Sequence, residues 1–170
     1  MSLVFPIVHL AEIELVEANK ALVRWEHRMG AFRRPMGFIS ATGLFAHGEI
    51  VAVAIASDLI SETCAGYTRR QAMELARLCA SKPNLCRVML RLWREFVFSA
   101  HCKARGYDWA VSYQDESLHT GGTYRFDGWV RLKEHASSGT DRRSGLKGRT
   151  KTIWGWHEDQ ATRKDAALSP

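Results

Sequence analysis

The segment that most limits the folds open to this chain is residues 73–113. A short strand over Met73–Cys79 meets a break at Ser81-Lys82-Pro83-Asn84, which is a helix-start signal. Beyond it Val88, Leu90, Leu92, Trp93, Phe96, Val97 and Ala100 give one long apolar face, and Lys103, Arg105 and Gly106 suit a helix C-terminus. A strand then follows at Trp109-Ala110-Val111-Ser112-Tyr113. Strand, helix and strand in that order make a β-α-β unit, so the chain must build a sheet with helices packed on it.

The segments on either side extend that sheet. Leu15, Ala18, Leu22 and Trp25 recur at helical spacing and predict a helix over residues 10–29, ending near Gly30. Arg33-Arg34-Pro35 is a basic connection. Phe38-Ile39 through Phe45, a turn at His47-Gly48 and the apolar run Ile50–Ala56 predict an antiparallel hairpin whose second strand is buried on both faces. Residues 57–67 read as a loop, and a short helix is expected through Tyr124. Asp127-Gly128 turns into a strand at Trp129–Leu132, and Ile153-Trp154-Gly155-Trp156 predicts a last strand. The expectation is a mixed α/β (α+β) domain over residues 1–158, carrying a loop at 135–151, with a frayed tail over 159–170.

Composition excludes several classes. A chain of 170 residues, 46% hydrophobic and 25% charged, is neither fibrous nor disordered. No run approaches the ~20 apolar residues of a membrane span. Met1-Ser2-Leu3-Val4-Phe5-Pro6 lacks a basic leader, so a cytoplasmic setting is expected. Cys64, Cys79, Cys86 and Cys102 form no C-x-x-C pair, and they read as reduced thiols rather than zinc ligands. The net charge is +6, and residues 131–151 hold seven cations against two acids, so most of the excess sits in one stretch.

Three places could carry chemistry. The junction at residues 80–87 offers free amides at the start of the longest helix, with Arg87 adding charge. That arrangement suits a phosphate or serves as an ordinary capped helix start. Residues 112–124 are the densest polar stretch and follow a hydrophobic strand, where open sheets bind ligands. Asp115 or His119 suits a general base, and Tyr124 suits an acid toward a leaving thiolate. The alternative is a capped turn. The third place is basic: Arg142, Arg143, Lys147, Arg149 and Lys151, followed by Trp154 and Trp156. A second cluster, Arg24, His27, Arg28, Arg33 and Arg34, could line the same surface. Such residues follow a phosphate backbone and stack on bases, or serve only as a solvated loop.

The element order resembles that of the GNAT acyltransferases over roughly residues 5–157, and Tyr124-Arg125-Phe126-Asp127-Gly128-Trp129 resembles their Tyr-x-x-x-Gly-aromatic signature. Tyr113-x-Asp115, His119-x-Gly121-Gly122-x-Tyr124 and Gly128-Trp129 resemble the Mom proteins of bacteriophages, GNAT-related enzymes that place a methylcarbamoyl group on N6 of DNA adenine. Glu74–Cys79 and Gly148-Arg149-x-Lys151-x-x-Trp154-x-Trp156 are similar to members of that group.

The resemblance implies a transferase acting on double-stranded DNA and shielding it from restriction. It implies Asp115, His119 and Tyr124 at the reacting centre, with Ser112, Tyr113 and His27 beside them. Leu78, Cys79, Asn84, Cys86 and Arg87 would face the donor, and Arg33, Arg34, Arg142, Arg143, Lys147, Arg149 and Lys151 would face the nucleic acid. Cys79 to Arg87 contains no glycine, unlike the usual pyrophosphate loop of that group. The donor is therefore acetyl-coenzyme A or another acyl or aminoacyl carrier. Iron held by His27, Asp115 and His119 is a further implied cofactor, and both a monomer and a homodimer remain open. The rival functions are a plain acyl-coenzyme A-dependent N-acetyltransferase and a non-catalytic DNA-binding module on the same fold.

Overall fold

A seven-stranded sheet in the order β1-β2-β3-β6-β7-β9-β8 organises the molecule, and every neighbouring pair is antiparallel except β6 and β7. The computed structural model describes residues 8–34, 37–137 and 150–167. In chain order the elements begin with strand β1 (Val8–Glu12), helix α1 (Leu15–Arg24), strand β2 (Ile39–Ala46) and strand β3 (Glu49–Asp58). A two-stranded hairpin, β4 (Thr63–Cys64) and β5 (Tyr67–Thr68), precedes β6 (Ala72–Ala80). The crossover to β7 (Trp109–Asp115) is α2 (Pro83–Leu92), a π-helical turn (Trp93–Phe98) and α3 (Ser99–Arg105). The chain closes with α4 (Gly122–Phe126), β8 (Val130–Ser137), β9 (Thr150–Trp156) and α5 (Gln160–Ala166).

The expected β-α-β unit is present, with Pro83 in the first turn of α2. The hairpin is present too, and Ala52–Ala56 of β3 are fully buried, as a strand covered on both faces must be. The π-helical turn has a packing reason. Trp93 and Phe98 stand five apart, a spacing that an α-helix would splay, yet both are completely buried and stack at 5.8 Å.

Three expectations are corrected. The segment 10–29 is not one helix: Val8–Glu12 is the edge strand β1, and α1 starts only after a capping box between Glu14 and Glu17. Residues 57–67 hold most of the β4–β5 hairpin, whose Tyr67 ring stacks on Trp109 at 4.7 Å. Residues 160–166 are not a frayed tail. Asp159 caps α5, and the buried Arg163 lies 3.8 Å over the Trp156 ring, with Arg94 4.0 Å away over that ring. The loop expected at 135–151 is strand at its ends, and residues 138–149 lie outside the described residues.

One departure from regularity positions everything that follows. β6 and β7 pair only where Ala72, Met73 and Glu74 face Trp109, Ala110 and Val111. Beyond that point β6 continues to Ala80 and β7 to Asp115 without pairing to each other, so the parallel strands part in a wedge. A bulge at β6 helps, since Ile55 opposes Arg77 and Ala56 opposes Leu75, leaving Ala76 unmatched.

Candidate active site

β7 alternates its side chains across the sheet, so Ser112 and Gln114 project to the α2 side while Tyr113 and Asp115 project to the α1 side. On the α2 side, Ser112 Oγ donates to the Leu75 carbonyl at 2.9 Å, just past the last paired residue of β6. The Tyr124 hydroxyl lies 2.8 Å from the same Oγ. A serine hydroxyl has one proton, so with that proton on Leu75 the phenol is the donor to Ser112. Tyr124 stacks on Trp154 at 5.6 Å and meets Trp129 edge-on at 5.4 Å. Burial pushes its pKa above the usual phenol value, partly offset by the Ser112 bond. It therefore stays protonated at neutral pH.

Local geometry holds that phenol in place. Gly121 has φ +74°, and a Cβ there would lie 2.5 Å from the Trp154 ring and 2.6 Å from Gln114 Oε1, so only glycine fits. Gln114 accepts from Trp154 Nε1 at 2.7 Å and donates to the His119 carbonyl. At the far end of α4 the buried Asp127 accepts from Arg94 at 2.6 Å and Arg91 at 3.1 Å, tying α4 to the crossover helix.

The α1 side is charged. Helix α1 ends with His27 N–H on Leu22 O and Glu26 N–H on Val23 O, a Schellman motif with Glu26 at φ 52°. That ending delivers His27 and Arg28. The His27 Nδ1 accepts from the Met29 amide at 3.2 Å, which leaves the neutral ring's proton on Nε2. Burial, then the neighbouring Arg77 and His119, lower its pKa to about 4. His27 is thus a neutral hydrogen-bond donor at pH 7, not a base.

Asp115 is buried; its Oδ1 accepts from the Ser117 amide and hydroxyl, and its Oδ2 faces Arg28 Nη1 at 3.7 Å. Lys151 pairs opposite Asp115 in the sheet and lies 5.8 Å over the Tyr113 ring. The Tyr113 hydroxyl is 3.0 Å from Cys64 Sγ; burial raises the pKa of both groups, and the contact adds to the rise at Tyr113 while partly offsetting it at Cys64.

The β6–α2 junction lies at the mouth of the wedge. Leu78 packs in the core on the α2 side and Cys79 in that on the α1 side. Lys82 caps α2 without a side-chain bond, and no acid stands in its first turn, so its amides and positive end are available to an anion. Asn84 and Arg87 are exposed there. The Arg87 and Arg125 guanidiniums lie 5.3 and 5.1 Å from the centre of the exposed Phe126 ring. Cys86, pushed by burial to about 11, neighbours both Cys79 and Tyr124.

No protein-family model matches the chain, and no curated protein matches it. Solved structures do. The ribosomal-protein-S18-alanine N-acetyltransferase from Escherichia coli superposes with TM-score 0.57 at 13% identity, over 96% of this chain and 97% of its own. A probable GNAT-family acetyltransferase from Chromobacterium violaceum gives TM-score 0.59 at 16% identity, over 91% of this chain and 90% of its own. A GNAT-family acetyltransferase from Elizabethkingia anophelis with acetyl-CoA bound gives 0.52 at 9% identity, over 88% and 97%. This is the GNAT acetyltransferase fold.

Within the GNAT fold the expected site residues separate into groups. Ser112 and Tyr124 meet in the wedge; across the sheet Asp115 meets Arg28, and His27 neighbours His119. Tyr113 turns to Cys64. Arg34 is half-buried, hydrogen-bonded to Ser57 and the Asp58 carbonyl and paired with the buried Glu74 at 2.7 Å, contacts that tie it to the sheet. Arg33 is exposed, Lys151 lies over the Tyr113 ring, and Arg142, Arg143, Lys147 and Arg149 lie outside the described residues. Among the described residues no three His, Cys, Asp or Glu side chains come together as a metal site, so iron has no ligand set there. No helix among those residues is long and apolar enough to cross a membrane.

The sequence reading overlooked Arg77, Gln114 and Cys64. Each acts through a partner distant in the chain, and no local spacing announces it.

Proposed function

We propose that the protein is an N-acyltransferase that takes an acyl group from a coenzyme A thioester lying in the β6–β7 wedge. The observation that carries the reading is the parting of those strands around Ser112 and Tyr124. A bound acyl-coenzyme A supplies an activated carbonyl and a thiolate leaving group. The α2 amides with Lys82 and Arg87 suit its phosphates, and Phe126 between Arg87 and Arg125 suits the planar base. Those features fit such a donor despite the absence of glycine from Cys79 to Arg87. Tyr124, protonated by its burial, gives its proton to the leaving sulfur.

The acceptor amine enters from the α1 side. Asp115 Oδ2 takes the proton it loses, His27 donates a hydrogen bond from Nε2, and Arg28 steadies the carboxylate. Incubation with acetyl-coenzyme A and pooled amines, followed by assay of released thiol, tests the reading. Thiol release that depends on amine and is lost in Tyr124→Phe supports it; no release above the protein-free rate overturns it.

A second reading concerns the acceptor. Arg28 and Lys151 lie beside Asp115, Arg77 neighbours His27, and residues 131–151 carry excess positive charge. Those cations favour an acceptor amine borne on a polyanion, and the Mom-like form of this reading makes it adenine N6 in double-stranded DNA. Adenine N6 is a weak nucleophile inside the duplex, so the base must be flipped out before transfer. Mass spectrometry of nucleosides from cells expressing the protein decides it. A modified adenine that vanishes with Tyr124→Phe supports the DNA form; an unmodified pool beside active thiol release leaves the plain N-acyltransferase.

A further inference from the structure

The contact between Ser112 and Tyr124 holds more than a hydrogen bond between neighbours. Val111 is the last β7 residue paired to β6, and Glu74 is its partner. One step on, the Leu75 carbonyl would ordinarily take a ladder bond from β7; with the strands parted, Ser112 Oγ takes that place at 2.9 Å. Leu75 and Ser112 are 2% and 3% exposed, so water is a poor substitute partner for either. The same oxygen receives the Tyr124 proton at 2.8 Å. Cys86 is the titratable neighbour of the phenol, and its thiol stays neutral at pH 7.

We infer that Ser112 is a positioning residue with two settings, one that holds the Tyr124 hydroxyl in place as a protonated donor before transfer and one that holds the phenolate afterwards. The inference rests on the acyltransferase reading of the wedge. In the first setting the serine proton lies on Leu75 O, and Tyr124 is held as a donor. During transfer the lone pair of the acceptor nitrogen forms the new C–N bond to the acyl carbon, the C–S bond breaks with its electron pair on sulfur, and the Tyr124 hydroxyl turns from Ser112 to give its proton to that sulfur. The phenol oxygen is left as an anion. The serine hydroxyl then turns, its proton leaving Leu75 O for the phenolate oxygen. A proton released by the acceptor nitrogen, carried through Asp115 and water, restores the phenol, and Ser112 returns to Leu75. The parted strands make this motion affordable, because Leu75 O belongs to no ladder that the motion would break.

Two measurements test it, on the intact chain. With ring-labelled tyrosine, the Tyr124 hydroxyl proton should give a slowly exchanging NMR signal in wild type and in Ser112→Thr, and lose it in Ser112→Ala. In steady-state assays Ser112→Ala should lower kcat by about 10- to 100-fold, with the donor KM within about twofold. Ser112→Thr should restore most of kcat, and Ser112→Ala should add nothing to the loss in Tyr124→Phe. Thermal melts establish that each variant is folded. An unchanged hydroxyl signal in Ser112→Ala, or equal kcat losses from that change with and without Tyr124, overturns the inference. If wild type transfers no acyl group to any amine, the acyltransferase reading fails instead, and the NMR signal alone still decides the hydrogen bond.

Discussion

The two faces of β7 are built from opposite materials. Toward α2, Ser112 and Gln114 sit among Trp154, Trp129 and Tyr124, where polar atoms are few; Ser112, Tyr124, Gln114 and the Trp154 indole are hydrogen-bonded to one another or to Leu75, while the buried Trp129 Nε1 has no hydrogen-bond partner among the described residues. Toward α1, Asp115 faces Arg28, and His27 lies near Arg77 and His119. The ion pairs differ in the same sense. Asp127 grips Arg94 at 2.6 Å with 2% of its side chain exposed, whereas Asp115 meets a 39%-exposed Arg28 at 3.7 Å. A tight, dry contact fixes geometry, and a loose one at the surface can yield to an incoming group. On the proposed acyltransferase reading, the proton donor belongs to the rigid face and acceptor handling to the adaptable one.

The largest effect should come from the dry face. Tyr124→Phe removes only the hydroxyl and should cut turnover by about 100-fold or more, with donor affinity within about twofold, as thiol-release kinetics would report. Asp127→Ala comes next. It removes the buried carboxylate from Arg94 and Arg91, leaving Arg94 only Glu95 and the Trp156 ring, and should lower unfolding free energy by about 3 kcal/mol in a denaturant titration. An unchanged midpoint would mean that α4 is not held from that end.

The charged face should show itself through pH. The His27 pKa falls from its ordinary value to about 4 on folding, so between those values the unfolded chain binds the extra proton. Stability is then complete above about pH 6.5 and declines toward pH 4, by on the order of 2 kcal/mol for this group. His101 is lowered by burial and acts in the same direction. Melting temperatures across that window should fall less in His27→Asn than in wild type; parallel curves would break the assignment of His27 as a buried neutral ring. The smallest stability effect belongs to Arg28→Ala, within about 1 kcal/mol. Its reversal, Arg28→Glu, should raise the acceptor KM while leaving the donor KM alone.

The sequence carried the skeleton wherever local signals were strong. Pro83 after Ser81-Lys82 marked the crossover helix, and the run Ile50–Ala56 marked the strand covered on both sides. β1 was hidden because its short polar-apolar run leads almost directly into α1. β8 beyond Leu132 was hidden because Lys133, Glu134 and His135 give it the polar character of an edge strand, with irregular register. Ser112 and Tyr124 were visible as residues, but their contact spans a strand, a turn held by Gly121 and a short helix. Arg33 and Arg34 read alike as a basic pair, yet one is exposed and the other half-buried and paired with Glu74. His27 depends on a left-handed turn at Glu26, which is not a glycine and so gave no signal.

Calorimetric titration with coenzyme A tests the division of labour most directly. The account predicts binding near the micromolar range in wild type, weakened by Arg87→Ala and unchanged by Arg28→Glu. Absence of binding to wild type, or equal weakening by both substitutions, would contradict it.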